Sequence, residues 1–419
     1  MKDVPEIKVH LHDLKDLYNA GYEILDELRQ KADASVVKAR FLHQEVIAVY
    51  GASAAKKFYN AENFKRSNSM PTPILKTLQG QNGVQTLDGK EHYKRKEIFM
   101  NLMTPDRMED YRQLLTENLT AALDQQHGTF ELYSLTKNVL FRTICSWSGI
   151  DLDQLSDKQI QQLADDQVAM FEGTVNSASD HMKGLSGRKE AEKWAQELIK
   201  KVRQQPQTTD ENSALYAFAN ARDTDNNLLS LETAAVDLLN IIRPTVAITV
   251  WVALLGHALF SRTDIYQELS ENFSQLQDSF VEELRRYYPF FPMVPAISKK
   301  AVEIDGYLIP QGSWVVLDLY GTNHDSRRLK DADDFKVDRF VGRTKQISYD
   351  EEYEMIAQGG GDFRTMHRCA GEWITLHTLR VFSEQLVNNY SFSVPEQDWT
   401  VPMNQFPTYP ASKVLLFKE

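Results

Sequence analysis

Gln358-Gly359-Gly360-Gly361-Asp362-Phe363-Arg364-Thr365-Met366-His367-Arg368-Cys369-Ala370-Gly371-Glu372-Trp373-Ile374-Thr375 is the stretch from which the rest of the chain is read. It holds one of only two cysteines, and glycines bracket that cysteine on both sides. An apolar pattern at helical spacing then runs through Leu376, Leu379, Phe382 and Leu386. Cys369 is therefore expected where an irregular loop turns into a helix N-terminus. Free backbone N–H groups and the helix dipole favour a thiolate there, and Arg368 adds a fixed positive charge next door. The glycine run lets the backbone pass close to something flat and bulky.

Three readings compete for this loop. A lone cysteine is most often a small, buried, inert side chain. A phosphate-cradling loop is a second reading, but the stretch lacks both Gly-Lys-Ser/Thr and Gly-x-Gly-x-x-Gly. The third is a thiolate that ligates haem iron.

The 419 residues are 42% hydrophobic, ample for a large core. Fifty-nine acidic residues face 47 basic ones, a net charge of −12, which argues against nucleic acid and against a polybasic membrane surface. Cys145 and Cys369 make no disulfide framework. Met1–Glu6 has no apolar h-region, so neither a signal peptide nor an N-terminal anchor is expected, and a reducing cytoplasm is the expected location. The longest apolar run, Ala234–Phe260, is interrupted by Asp237, Asn240, Arg243 and Pro244 and reads as a buried helix rather than a membrane span.

Residues 1–34 read as mostly helical and charged. Glu45–Tyr50 reads as a strand stopped by Gly51, with a short helix to about Tyr59. Ser67–Gln85 is loop-rich; Glu91–Met103 is helical and basic on one side; residues 106–170 alternate helices with short breaks; Gln204–Ser213 is a polar connector. Ser230 is a fitting N-cap for the central helix, with Glu232 in its first turn. Strand signals gather between Ala301 and Leu319, around Asp305-Gly306 and Pro310-Gln311-Gly312. The chain reads as one domain over residues 1–419, mainly α, a helical lobe with small β-sheets at one edge.

Four polar constellations stand out. Glu283 and Arg286 are three apart and share a helix face, but Glu282 with Arg285 is equally legal by spacing. Asp334–Phe340 supplies Arg339, which would join such a pair. In the apolar helix, Asp237, Asn240 and Arg243 recur every third residue as one polar stripe. There Arg243 is either a snorkelling edge residue beside a kinking Pro244, or a guanidinium held ready for a carboxylate. Arg66, His92, Lys96 and Arg368 are each ordinary surface residues taken singly. Together they would neutralise a dicarboxylate cofactor such as haem, whose edge carries propionates.

These pieces, in this order, resemble the cytochrome P450 fold. Glu283–Arg286 with Pro289 resembles its Glu-x-x-Arg pair, which selects that frame. The cysteine loop resembles its haem-thiolate segment, and Asp334–Phe340 resembles the segment before it, with Val337 in place of the usual proline. The resemblance is closer still to the bacterial fatty-acid peroxygenases. It is carried by Arg243-Pro244, Arg286-Tyr287-Tyr288-Pro289-Phe290, Leu319–Asp325, Gln358–Gly361, His367–Glu372 and Val394-Pro395-Glu396-Gln397.

The resemblance implies haem b held by Cys369, with Arg66, His92, Lys96 and Arg368 at its propionates. It implies Arg243, Pro244 and Gln85 at the catalytic face, Gln79, Val84 and Phe290 around the substrate, and Glu283, Arg286 and Arg339 as a structural group. The implied reaction is hydroxylation of long-chain fatty acids at the α, and secondarily β, carbon with hydrogen peroxide, without a redox partner. Where reductase-driven relatives keep an acid–alcohol pair, this chain has Arg243-Pro244 before Thr245, so a substrate carboxylate on Arg243 would serve as acid–base. Gln85 stands where olefin-forming relatives carry histidine and hydroxylating ones glutamine. Gln79 stands where familiar members carry phenylalanine. The alternatives are a peroxide-dependent decarboxylase giving terminal alkenes, a non-catalytic haem protein, and a monooxygenase fed by a reductase.

Overall fold

A computed structural model describes residues 2–9, 19–41, 44–174, 176–343 and 353–419 of the chain. The N-terminal part comprises β1 (Lys2–Asp3), β2 (Glu6–Val9), α1 (Ile24–Ala32), β3 (Val36–Phe41), β4 (Gln44–Val49), α2 (Ala52–Tyr59) and β5 (Phe64–Lys65). A helical region follows: α3 (Gly89–Leu102), α4 (Pro105–Asp124), β6 (Gly128–Glu131), α5 (Leu132–Trp147), α6 (Asp157–Glu172), α7 (Ala178–Gln204), α8 (Ala214–Ala219), α9 (Leu231–Phe260), α10 (Thr263–Glu271) and α11 (Phe273–Tyr287). Then come β7 (Met293–Ser298), β8 (Val302–Ile304), β9 (Tyr307–Ile309), β10 (Trp314–Asp318), α12 (Leu319–Asn323), α13 (Glu372–Glu384) and β11 (Leu415–Lys418).

The main sheet has the order β2-β3-β4-β10-β7-β5. Its central strands are buried on both faces, and their period of two divides them between two cores. Val36, Ile47, Val49, Val315 and Leu317 join the cluster under α2, whereas Val37, Ala39, Val46, Ala48 and Val316 join the one under α1. Residues 1–34 depart from the helical expectation: β1 and β2 precede the helix, and residues 10–18 lie outside the described ones. Strands pairing with sequence-distant partners decide this, since β1 pairs with β9 and β2 with β3. Gln44–Val49 and Ala52–Tyr59 form the expected strand and helix.

The helical core is built on α9, which packs against α5, α6, α7 and α13. Ser230 caps it as expected, its hydroxyl accepting from Thr233 N at 3.1 Å. By length and composition α9 would cross a membrane, but 94% of its apolar window is buried within the protein.

On α11 the two legal ion-pair frames are both in use. Arg286 holds Glu283 bidentately at 2.7 and 2.8 Å, and Arg339 Nε lies 3.0 Å from both Glu283 oxygens. The remaining guanidinium N–H groups reach backbone carbonyls: Arg286 those of Asn323, Ala332 and Asp334, Arg339 those of Lys330, Asp331 and Asp334. One turn face over, Arg285 bridges Glu282 and Glu372, each at 2.6 Å, and Glu372 also pairs with Arg368.

Glu283 and Arg286 are fully buried, so removing either strands its partner. Glu283→Ala is expected to destabilise the protein by roughly 3–5 kcal/mol. Urea unfolding measures it; a loss below about 1 kcal/mol, the level of a surface pair, would refute a buried hub.

Candidate active site

The cysteine loop is tied down from several sides. Cys369 N donates to Gln358 O at 3.0 Å, and Gln358 Nε2 reaches Thr375 Oγ1 at 3.0 Å and Cys369 Sγ at 3.8 Å. Gly359 and Gly361 have φ of +95° and +84°, where an L side chain is strained. Gly360 serves close packing of protein on protein: a Cβ there would lie 2.5 Å from the Tyr353 ring. The helix begins only at Glu372, with Gly371 as N-cap, so Cys369 lies just outside its first turn. Burial pushes the Cys369 thiol up, and Lys96 and the Gly371 N–H only partly oppose it. This differs from the thiolate expected at a helix terminus: desolvation outweighs the N-terminal field.

Basic side chains gather beside this loop. Lys96 Nζ bonds the carbonyls of Met366, at 3.2 Å, and of Arg368. His92 stacks on His367 with ring centroids 3.9 Å apart. Arg66 lies across Phe58 and Tyr59 and donates to Pro295 O at 2.7 Å. Burial lowers all four: Arg66 below its usual range, His92 to about 4, Lys96 to about 8, and His367 well below the usual histidine value. Lys96 repels His92, while Arg66, His92 and Lys96 all repel His367. Asp88 is the carboxylate that meets this group, near His92 and Arg66, with an oxygen 3.9 Å from His367 Nε2.

Basic groups pushed toward neutrality by burial, and in the two histidines also by their cationic neighbours, call for anions. A soft sulfur ligand, a glycine-lined loop and this basic group together suit a flat metal cofactor with two carboxylates. Arg368 is not in the group. Its guanidinium is taken by Glu372 and lies over the Phe363 ring at 4.0 Å, because Glu372 stands one turn further along and Arg285 backs it. His367, one residue earlier in the same stretch, takes the place given to Arg368 by sequence reasoning.

On the other side of the core, the polar stripe of α9 fastens the segment 78–85. Asp237 Oδ1 accepts from Val84 N at 3.3 Å, and its second oxygen takes Arg95 Nε. Asn240 Nδ2 donates to Gln85 Oε1 at 3.1 Å, while Asn240 Oδ1 is buried with no hydrogen-bond partner among the described residues. Arg243 Nη1 donates to Leu78 O. Thr245 Oγ1 bonds Ile241 O within its own helix at 2.8 Å. Burial, and then repulsion from Arg188, pushes Arg243 down to about 9. Asp237 is pushed up to about 6 by burial, against the pull of Arg95.

Gln79, Val84 and Gln85 are thus brought to the same face of α9 as Arg243. Phe290 sits two turns along, stacked on Trp251 at 5.1 Å. Cys145 is sealed in the helical core at 0% exposure. Two surface grooves, about 320 Å³ along α4 and about 720 Å³ between α3 and residues 211–226, touch none of these residues. Arg95 and Arg188 were not singled out by sequence. Arg95 falls on the basic side of α3, which was a signal; Arg188, in a charged amphipathic helix, gave none.

A mainly helical fold with small edge sheets, a buried Glu-x-x-Arg hub and a glycine-bound cysteine defines a haem-thiolate protein. The cytochrome P450 family profile matches residues 7–416, and the chain belongs to that family, whose cofactor is haem b. Its solved relatives include cytochrome P450EX alpha (CYP152N1) with myristic acid, 35% identical over 100% of this chain and 99% of that one, TM-score 0.90. A point mutant of cytochrome P450SP alpha (CYP152B1) is 34% identical over 99% and 98%, TM-score 0.90. A point mutant of cytochrome P450 OleT in complex with arachidonic acid is 29% identical over 99% and 98%, TM-score 0.91. Within the family the chain stands with the CYP152 branch to which its motifs pointed.

Lys96, at about 8 in the protein alone, would rise on meeting a propionate. Both states then hold the proton below pH 8, and haem affinity is flat there. Above it the free protein must regain a proton to bind, so affinity falls by up to about tenfold per pH unit. Haem transfer to an acceptor protein, followed by absorbance across pH 7–10, measures this. The slope should vanish in Lys96→Met; an unchanged slope would remove Lys96 from the cofactor group.

Proposed function

We propose that this protein is a peroxygenase that hydroxylates long-chain fatty acids at the α carbon, and secondarily at β, with hydrogen peroxide and no redox partner. The observation that carries this is Arg243: a guanidinium 5% exposed, bonded to a backbone carbonyl, with no carboxylate partner among the described residues. An uncompensated charge in that position is costly, and a fatty-acid carboxylate supplies the missing anion in fork geometry. The CYP152 relative solved with myristic acid supports the same substrate class.

Haem ligated by Cys369 would supply, when bound, the oxygen-transfer chemistry by which R–CH2–COOH and the oxidant H2O2 become R–CH(OH)–COOH and H2O. Lys96, Arg66, His92 and His367 would hold its propionates. Arg243 holds the substrate carboxylate and thereby presents the α and β carbons first, so regioselectivity follows from position. Thr245 is engaged with Ile241 O and has no acid beside it, so the polar proton-carrying group left near Arg243 is the substrate carboxylate itself. Gln85 is a neutral amide, fixed by Asn240, that orients polar groups but neither takes nor gives a proton at neutral pH. Hydroxy acid rather than terminal alkene is the product this favours. We read residues 1–419 as one catalytic domain, soluble and cytoplasmic.

Peroxide-dependent turnover of a free fatty acid against its methyl ester tests the reading. The acid should react and the ester fail, and Arg243→Leu should lose acid turnover by a factor of about 100 or more, on the order of a buried charge-assisted contact. Equal rates on acid and ester would make Arg243 structural. Chromatography of the products tests the Gln85 argument: 2-hydroxy acid should dominate, and a mostly alkene product would overturn it.

A further inference from the structure

Arg188 lies on α7, far in sequence from every motif above, yet its side chain is only 4% exposed. Its Nη1 donates to Leu78 O at 3.2 Å, the same carbonyl oxygen that receives Arg243 Nη1. Two guanidinium groups therefore converge on one backbone oxygen. Nε of Arg188 pairs with Glu192 at 2.6 Å, one turn along α7, and Glu192 is 31% exposed. Its Nη2 is buried and has no hydrogen-bond partner among the described residues. Met170 Sδ, 3.8 Å from Nη1, is the neighbour from α6, and it is a weak acceptor.

The space for this arginine is made by Gly80. A Cβ at Gly80 would lie 1.9 Å from Arg188 Nη2 and 2.8 Å from Val236, and φ there is +79°. The charge count around Leu78 O is two guanidiniums against the single carboxylate of Glu192. One positive charge remains, together with the vacant N–H groups of Arg188 Nη2. A carboxylate monoanion balances both, since its two oxygens accept from two guanidiniums at once.

We propose that Arg188 is a second carboxylate-binding residue, gripping with Arg243 the head group of the fatty-acid substrate across the carbonyl of Leu78, while Glu192 competes with the substrate for it. This rests on the fatty-acid reading of the Arg243 site. It extends that site from one arginine to two and makes Glu192 a built-in brake on affinity. The repulsion that Arg188 exerts on Arg243 has the same origin, two like charges awaiting a shared counter-ion.

The sign of the Glu192 effect separates this from a structural ion pair. Calorimetric titration of tetradecanoate into the haem-loaded enzyme is the measurement. Arg188→Gln should weaken binding by roughly tenfold or more, the size of one charge-assisted hydrogen bond. Glu192→Gln should tighten binding severalfold, because it frees the guanidinium. A pair that only braces α7 predicts the opposite, unchanged or weaker binding in Glu192→Gln, and that result overturns the proposal, as does unweakened binding in Arg188→Gln. If Arg188→Gln does not fold, Glu192→Gln decides alone. Arg243→Leu, titrated alongside, keeps the two claims apart. Loss there with none in Arg188→Gln refutes only the second arginine, whereas no loss in Arg243→Leu refutes the carboxylate site itself.

Discussion

Four charged side chains on one turn and a half of α11 carry the cysteine loop. Glu282, Glu283, Arg285 and Arg286 are all buried, and burial of charge is favourable only where every donor and acceptor is met. Two adjacent networks meet them, apart from Arg285 Nε, which is buried without a hydrogen-bond partner among the described residues. Glu283 faces Arg286, Arg339 and the backbone N–H of Lys336, which fixes the segment 323–340. Arg285 faces Glu282 and Glu372, and Glu372 fixes Arg368, the neighbour of Cys369. The cysteine is therefore positioned by ion pairs reaching it from a helix more than eighty residues earlier, in addition to the hydrogen bonds of its own loop. Helix α11 joins the chain on both sides of the loop into one rigid support.

Opposite this support, α9 does with single hydrogen bonds what α11 does with ion pairs. Asp237, Asn240 and Arg243 each fasten a different point of the segment 78–85, so that segment is held in register along the helix. The difference lies in charge balance. Asp237 has Arg95, but Asn240 keeps a buried unpaired oxygen and Arg243 keeps an unbalanced charge. A buried charge without a counter-ion among the described residues marks a place able to receive one.

Periodicity made the architecture legible. Ser230, Glu232 and the apolar run behind them gave α9 and its cap, and the three-residue recurrence of Asp237, Asn240 and Arg243 gave one polar stripe. What the stripe meets was hidden, because Val84 and Asp237 are 153 positions apart and neither spacing nor composition links them. The Glu282/Glu283 ambiguity was real for a physical reason: two neighbouring helix residues point to adjacent faces, and here both faces are buried. Arg368 departs from its expected place because Glu372, four residues on and backed by Arg285, engages its guanidinium, a partner that reading the four basic residues as one group did not include. The β1 and β2 strands escaped notice because a short polar strand shows its nature only when paired.

The distribution of charge explains how such a site takes an anion at all. The protein carries a net charge of −12, which opposes the approach of a fatty-acid carboxylate. That field is screened beyond about 8 Å at physiological ionic strength, so long-range steering does not bring the substrate in. On the proposed reading Arg243 and Arg188 would act only at contact, in a buried setting where each hydrogen bond to a charge counts for more than it does in water. The apolar tail must then provide the drive to enter, at about 0.8 kcal/mol for each buried methylene. On that reading the arginines would set the orientation of the bound molecule, and the tail would decide whether it binds.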